Sequence, residues 1–202
     1  FEDTIIRILK KDGVRNPTFE QCREWYMENL HPSVLDMKDP VVYEQVFHKG
    51  KFAGVFQFMN TGMQRLGSNA KVSSVEEIAT VSAIFRPGPL SAGVDKMYVQ
   101  AKEGSEDVEY DHPLIEDVLG KTYGLIVFQE DIMNLVNTLG HKITMSDANV
   151  LRKLLTKKGL SETKMKKKKD LYERFVKGCQ DKGMSFADAK VLWGKMEYFS
   201  GY

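Results

Sequence analysis

Apolar residues return at three- and four-residue intervals along most of this chain, the spacing of a helix with one buried side. The pattern is clearest from Tyr123 to Lys158. Ile132, Met133, Leu135, Val136 and Leu139 fall on roughly one helical face, which Gly140 ends. A second helix is expected to start at a Ser146 cap, with Ala148, Leu151, Leu154 and Leu155 on its apolar side. Arg152, Lys153, Lys157 and Lys158 take its other side and its end. Just upstream, Gly124-Leu125-Ile126-Val127-Phe128 is a continuous apolar run opened by glycine, the pattern of a buried strand or buried linker. The stretch therefore predicts a buried support carrying a helix that shows cations to something negative.

The rest of the chain predicts further helices around that centre. Ile5, Ile8 and Leu9 form an apolar face that Lys11-Asp12-Gly13 ends. Thr18 with Gln21 reads as a capping box for a helix through Leu30. Asp39-Pro40 starts another, running to about Lys49. Gly54-Val55-Phe56-Gln57-Phe58 is a second strand-like run, followed by a short helix with Met63 and Leu66. Ser73 with Glu76, or Ser74 with Glu77, caps a helix ending near Phe85. Phe85-Arg86-Pro87-Gly88-Pro89-Leu90 reads as a rigid turn, with two prolines around a glycine. Helical patterns follow over 92–103, from His112-Pro113 to Gly120, over 164–182, and from a Ser185 cap to Phe199. The expected class is mainly α, about ten helices with two very short strands.

Charge changes the picture. The net charge is only +1. Residues 151–182, however, hold 12 lysines and arginines against 4 acidic residues, leaving 17 basic against 24 acidic elsewhere. A basic segment on an otherwise acidic body points to a polyanionic partner. Cys22 and Cys179 lack CxxC spacing and read as free buried thiols of a reducing, cytoplasmic setting. The four histidines show no metal-ligand spacing. No apolar run approaches the roughly 20 residues of a membrane span, and no leader is read at the start. Phe1 opens inside a helical pattern and Ser200-Gly201-Tyr202 closes without a charged tail, so both ends are expected to be boundaries within something longer.

Several runs together resemble the alpha subunit of bacterial DNA polymerase III, the C-family replicative polymerase. They are Gly54–Phe58 with Gly62-Met63, then Phe85-Arg86-Pro87-Gly88-Pro89-Leu90, then Tyr123-Gly124-Leu125-Ile126-Val127-Phe128-Gln129-Glu130 with Met133. Leu151-Arg152-Lys153 with Lys157-Lys158, and Phe199-Ser200-Gly201-Tyr202, complete the series in the family's order. The resemblance spans about residues 50–202. It implies that 1–50 are helices connecting palm to fingers and 51–202 the N-terminal half of a helical fingers lobe, with the basic segment 151–182 inside it.

The same resemblance implies which residues meet substrate. Arg152 and Lys153 match the family's paired arginines on the incoming dNTP triphosphate, with lysine replacing the second. A guanidinium fork suits phosphate oxygens; lysine acts as a point charge. Lys157, Lys158, Lys164, Lys166, Lys167, Lys168 and Lys169 are expected on primer-template DNA phosphates, or as a solubilising run. Arg86 is expected either as a structural cation or on nucleic acid. No catalytic residue and no metal ligand is expected in this chain. The family's catalytic aspartates, with their Mg2+, belong to the palm, and Asp3, Asp12 and Asp36 do not sit in that motif. Implied partners are the remainder of the polymerase chain and, through regions outside this one, the sliding clamp and other replisome subunits. Two alternatives stay open: a split-polymerase half ending at a split-intein junction after Tyr202, and a stand-alone helical nucleic-acid-binding module.

Overall fold

The structure, a computed structural model, describes residues 1–201 except Glu106 and Lys158. The expectations at Lys158 and Tyr202 lie outside the described residues. The chain divides into two compact units, Phe1–Pro40 and Val41–Tyr202.

The first unit holds α1 (Glu2–Lys11) and α2 (Phe19–Asn29). The capping box forms as read. Gln21 N–H donates to Thr18 Oγ1 at 3.3 Å and Thr18 N–H donates to Gln21 Oε1 at 3.0 Å. Ile5 and Cys22 are the buried apolar side chains of this small pair.

After the short turn α3 (Pro40–Val42), the second unit opens with a π-helical segment, Tyr43–His48. Then come α4 (Thr61–Asn69), α5 (Val75–Ile84), α6 (Pro87–Ser91) and α7 (Val94–Glu103). Their core gathers Phe47, Phe52, Phe58, Met63, Val81, Ile84 and Tyr98. Ser74, not Ser73, caps α5, while the Glu77 carboxylate reaches back to the Ser73 N–H at 2.6 Å. Gly67 lies where Phe58 crosses α4; a Cβ there would sit 2.6 Å from the ring.

A second core joins α8 (Pro113–Leu119), α9 (Gln129–Leu139), α10 (Met145–Leu155), α11 (Glu162–Asp181) and α12 (Phe186–Ser200). Leu135, Leu139, Leu151, Leu171, Phe175 and Met196 are fully buried in it. His112 caps α8 by accepting from Leu114 N–H at 3.1 Å. Gly178 of α11 presses on the chain leaving α9, where a Cβ would fall 2.2 Å from His141 N and 2.3 Å from Gly140 C.

Three expectations need correction. Among the described residues there is no β-strand, so the two short strands are not part of this mainly α fold. At 54–58 the backbone turns instead of extending, with Gly54 at φ +79° and Gln57 at φ +66°. At 123–128, Tyr123 and Gly124 are both left-handed. The N–H groups of Val127 and Phe128, which a strand would pair with a neighbour, donate to the Asp131 carboxylate at 2.9 and 2.8 Å. Second, the Pro-Gly-Pro run is no simple turn: it forms α6, with prolines in the first turn, where their missing N–H groups cost nothing. Third, α10 is capped by Thr144 rather than Ser146. Asp147 N–H donates to Thr144 Oγ1 at 3.1 Å, and Asp147 Oδ2 accepts from Thr144 N–H at 3.3 Å.

Candidate functional site

Between the two cores of the second unit lies a cleft of about 1100 Å³. One wall comes from α5 and the start of α6, the other from α9, α10 and the end of α12. Phe85, Phe128, Ile132 and Phe199 give it an apolar lining. Two cations, Arg86 and Arg152, face it alongside Gln57, Gln129 and Glu130.

Arg152 sits in the last turn of α10, where the helix dipole favours a cation. Its guanidinium is held by carboxamides. Nε donates to Asn149 Oδ1 at 3.2 Å, Nη2 to the same oxygen at 3.0 Å, and Nη1 to Gln129 Oε1. Gln129 is the first residue of α9, so the bond ties the two helices together beside the cleft. No carboxylate comes within ion-pairing distance of Arg152 among the described residues. A neutral amide can orient an arginine without cancelling its charge, which a carboxylate would do.

The α9 start that presents Gln129 is set by Asp131. Burial pushes its carboxyl up, Glu130 next to it adds to the rise, and the two accepted N–H bonds only partly offset it. Asp147 anchors the far end of α10. It accepts from Arg174 Nη2 at 3.2 Å and from Lys167 at 3.4 Å. Burial alone would raise Asp147, but the Thr144 backbone and these two cations hold it below the usual carboxylate range.

The sequence-read candidates separate in space. Arg152 and Arg86 share the cleft, although Arg86, preceding α6, is exposed. Lys153 is exposed and does not line it, because adjacent helical residues point about 100° apart. Lys164 and Lys166 are exposed on the first turns of α11. Lys167 bridges Asp147 and Asp170, Lys168 pairs with Glu197 at 2.7 Å, and Lys169 with Glu173 at 3.8 Å. Lys157, Lys168 and Lys169 line a separate groove. Sequence reading missed Asn149, whose signal is its position three residues before Arg152 on one helix face. Gln129, known from the sequence only as part of the motif run, turns its side chain to Arg152 from the first position of α9.

Among the described residues no group of three or more His, Cys, Asp or Glu side chains is arranged to hold a metal ion. The polymerase metals named by the resemblance therefore do not fit the residues present. Nor, among those residues, is any helix long and apolar enough to cross a membrane.

A family model described as the bacterial DNA polymerase III alpha subunit finger domain matches residues 13–183. The DNA polymerase III subunit alpha of Aquifex aeolicus is 36% identical over 183 residues, covering 91% of this chain and 15% of that protein. That of Chlamydia pneumoniae is 33% identical over 175 residues, covering 87% and 13%. That of Campylobacter jejuni is 33% identical over 194 residues, covering 96% and 16%. The chain thus spans roughly one seventh of the length of these relatives.

Proposed function

The chain belongs to the finger-domain family of the bacterial DNA polymerase III alpha subunit, and from that premise we propose that it is the fingers segment of a replicative DNA-directed DNA polymerase. In this reading 51–202 is the N-terminal half of the fingers and 1–50 the helices connecting it to the palm. The cleft receives the triphosphate of the incoming dNTP, with Arg152 as its principal cation and Lys153 on the flank. Arg86 and the lysines of 157–169 meet primer-template phosphates. The Mg2+-binding aspartates lie in the palm, elsewhere in the longer protein, as do contacts to the clamp and other replisome subunits. The setting is cytoplasmic.

One observation carries the reading. Arg152 faces a cleft with its charge uncancelled, held in place by Asn149 and Gln129. Such an arginine is preorganised for a phosphate, since its orientation is set before the ligand arrives. The test is steady-state dNTP incorporation by the full-length polymerase. Arg152→Ala should raise the KM for dNTP by an amount matching a charge-assisted contact of roughly 1.5–3 kcal/mol. Unchanged kinetics would remove Arg152 from the site. The split-half and stand-alone alternatives are separated from this reading by the flanking reading frame. A palm with an Asp-x-Asp motif upstream supports the continuous enzyme. An intein directly after Tyr202 supports the split one.

A further inference from the structure

A second groove, of about 830 Å³, runs along α11 and α12 and uses none of the residues of the arginine cleft. Leu160, Met165, Tyr172 and Trp193 give it an apolar and aromatic floor. Lys157, Lys169 and Lys190 stand around it. Lys168 also lines it and engages Glu197, and Lys169 pairs with the exposed Glu173, which leaves Lys157 and Lys190 as the groove's excess of positive charge.

Gly194 lies in this lining and in the middle of α12. Glycine weakens a helix interior, so such a position calls for a reason. For Gly67 and Gly178 the reason is internal: Phe58 or the Gly140-His141 backbone occupies the space of a side chain. At Gly194 a Cβ would meet no atom within 4 Å. Nothing in the described chain requires this glycine, so the helix backbone there is open to the groove.

We propose that this groove takes single-stranded nucleic acid, the unpaired template strand that precedes the primer end. The proposal rests on the polymerase reading. Ammonium groups along a groove with aromatic and apolar side chains in its floor form the combination that holds unpaired strands without reading sequence. An acidic peptide would also meet the lysines, but Lys157 and Lys190 flanking an apolar floor with Tyr172 fit a strand that offers both phosphates and bases better. Gly194 leaves room for a base against the helix backbone.

The test uses the full-length polymerase on primer-templates carrying iododeoxyuridine at successive overhang positions. Ultraviolet crosslinks are mapped by mass spectrometry. Crosslinks from the overhang should fall on the peptides holding Met165, Tyr172 and Trp193. They should drop about tenfold in Gly194→Leu, which fills the groove. This variant should melt no lower than the parent, because its Cβ meets open space and leucine favours a helix interior over glycine. Overhang crosslinks that fall elsewhere, or persist undiminished in Gly194→Leu, overturn the proposal. Protection of the groove lysines from acetylation by a Glu/Leu amphipathic peptide but not by oligo(dT) also overturns it, making the groove a protein-docking surface. In each case the polymerase reading stands if primer extension persists. Absence of primer extension removes that reading itself.

Discussion

The Oδ1 atom of Asn149 accepts from both Nε and Nη2 of Arg152, at 3.2 and 3.0 Å. The pair separates orientation from charge. Asn149→Ala removes the acceptor and frees the guanidinium to rotate. Asn149→Asp keeps an acceptor at the same place but adds a negative charge beside the arginine. If Arg152 serves a triphosphate, both variants raise the KM for dNTP in the full-length polymerase. The aspartate should do so more strongly, because its carboxylate competes with the substrate for the cation. The cost of the alanine change should be about 0.5–1.5 kcal/mol, the ordinary worth of a hydrogen bond. Equal KM values for aspartate and asparagine would show that the charge of Arg152 faces no anion.

Among the described glycines Gly178 has the closest neighbours, with backbone atoms of Leu139, Gly140 and His141 within 2.3 Å of where a Cβ would stand. His141 N–H donates to Arg174 O at 2.9 Å across the same crossing. The neighbour is backbone and cannot rotate aside. Gly178→Ala must therefore push α11 away from the end of α9, despite alanine's better helix propensity. We expect a loss of about 1–3 kcal/mol, the range for overpacking, read as a lower urea midpoint. Gly194→Ala on α12 meets open space and should gain stability instead.

These two glycines also show what a sequence conveys and what it hides. Both sit inside helical patterns, and only the path of a distant segment tells them apart. The helices themselves were legible, because a cap such as Thr18 with Gln21 is decided within one turn of chain. The runs 54–58 and 124–128 were not, because a buried strand and a buried linker share one apolar pattern. In the second run the outcome is decided by Asp131, whose carboxylate takes the N–H groups a strand partner would need. The arginine of the site was legible through the family's motif order. Its holders were not, since Gln129 lies 23 residues away and meets Arg152 only when α9 and α10 pack.

Glu77 and Lys102 form an ion pair at 2.5 Å with both side chains largely shielded. Burial by itself raises the Glu77 carboxyl. The Lys102 ammonium and the Ser73 backbone outweigh it and hold the group below the usual carboxylate range. The folded state thus binds this proton less readily than the unfolded chain, whose glutamate titrates near about 4.3. The resulting stability is complete well above that value and is lost as pH falls through the lower folded-state pKa. Lys102→Met should destabilise the chain at neutral pH, and the gap between variant and parent should close progressively in acid. Urea melts at several pH values check this, and a gap independent of pH would exclude the ion pair as its source.

The lysine run on α11 is not uniform, and its members should behave differently on DNA. Lys167 is pinned between Asp147 at 3.4 Å and Asp170 at 3.7 Å. Lys164 and Lys166 are exposed, with no ion pair to either among the described residues. A lysine that neutralises a phosphate releases a condensed counterion, so its removal lowers the salt slope of binding by about 1. If the run tracks the duplex, Lys164→Ala and Lys166→Ala should each reduce that slope for the full-length polymerase on primer-template. Lys167→Ala should leave the slope near the parent's while lowering the melting temperature, because it loses the tie between α11 and the α10 cap. Slopes equal to the parent's in Lys164→Ala and Lys166→Ala would mark both lysines as solvated surface. A reduced slope for Lys167→Ala alone would mean that DNA breaks the Asp147 bridge on binding.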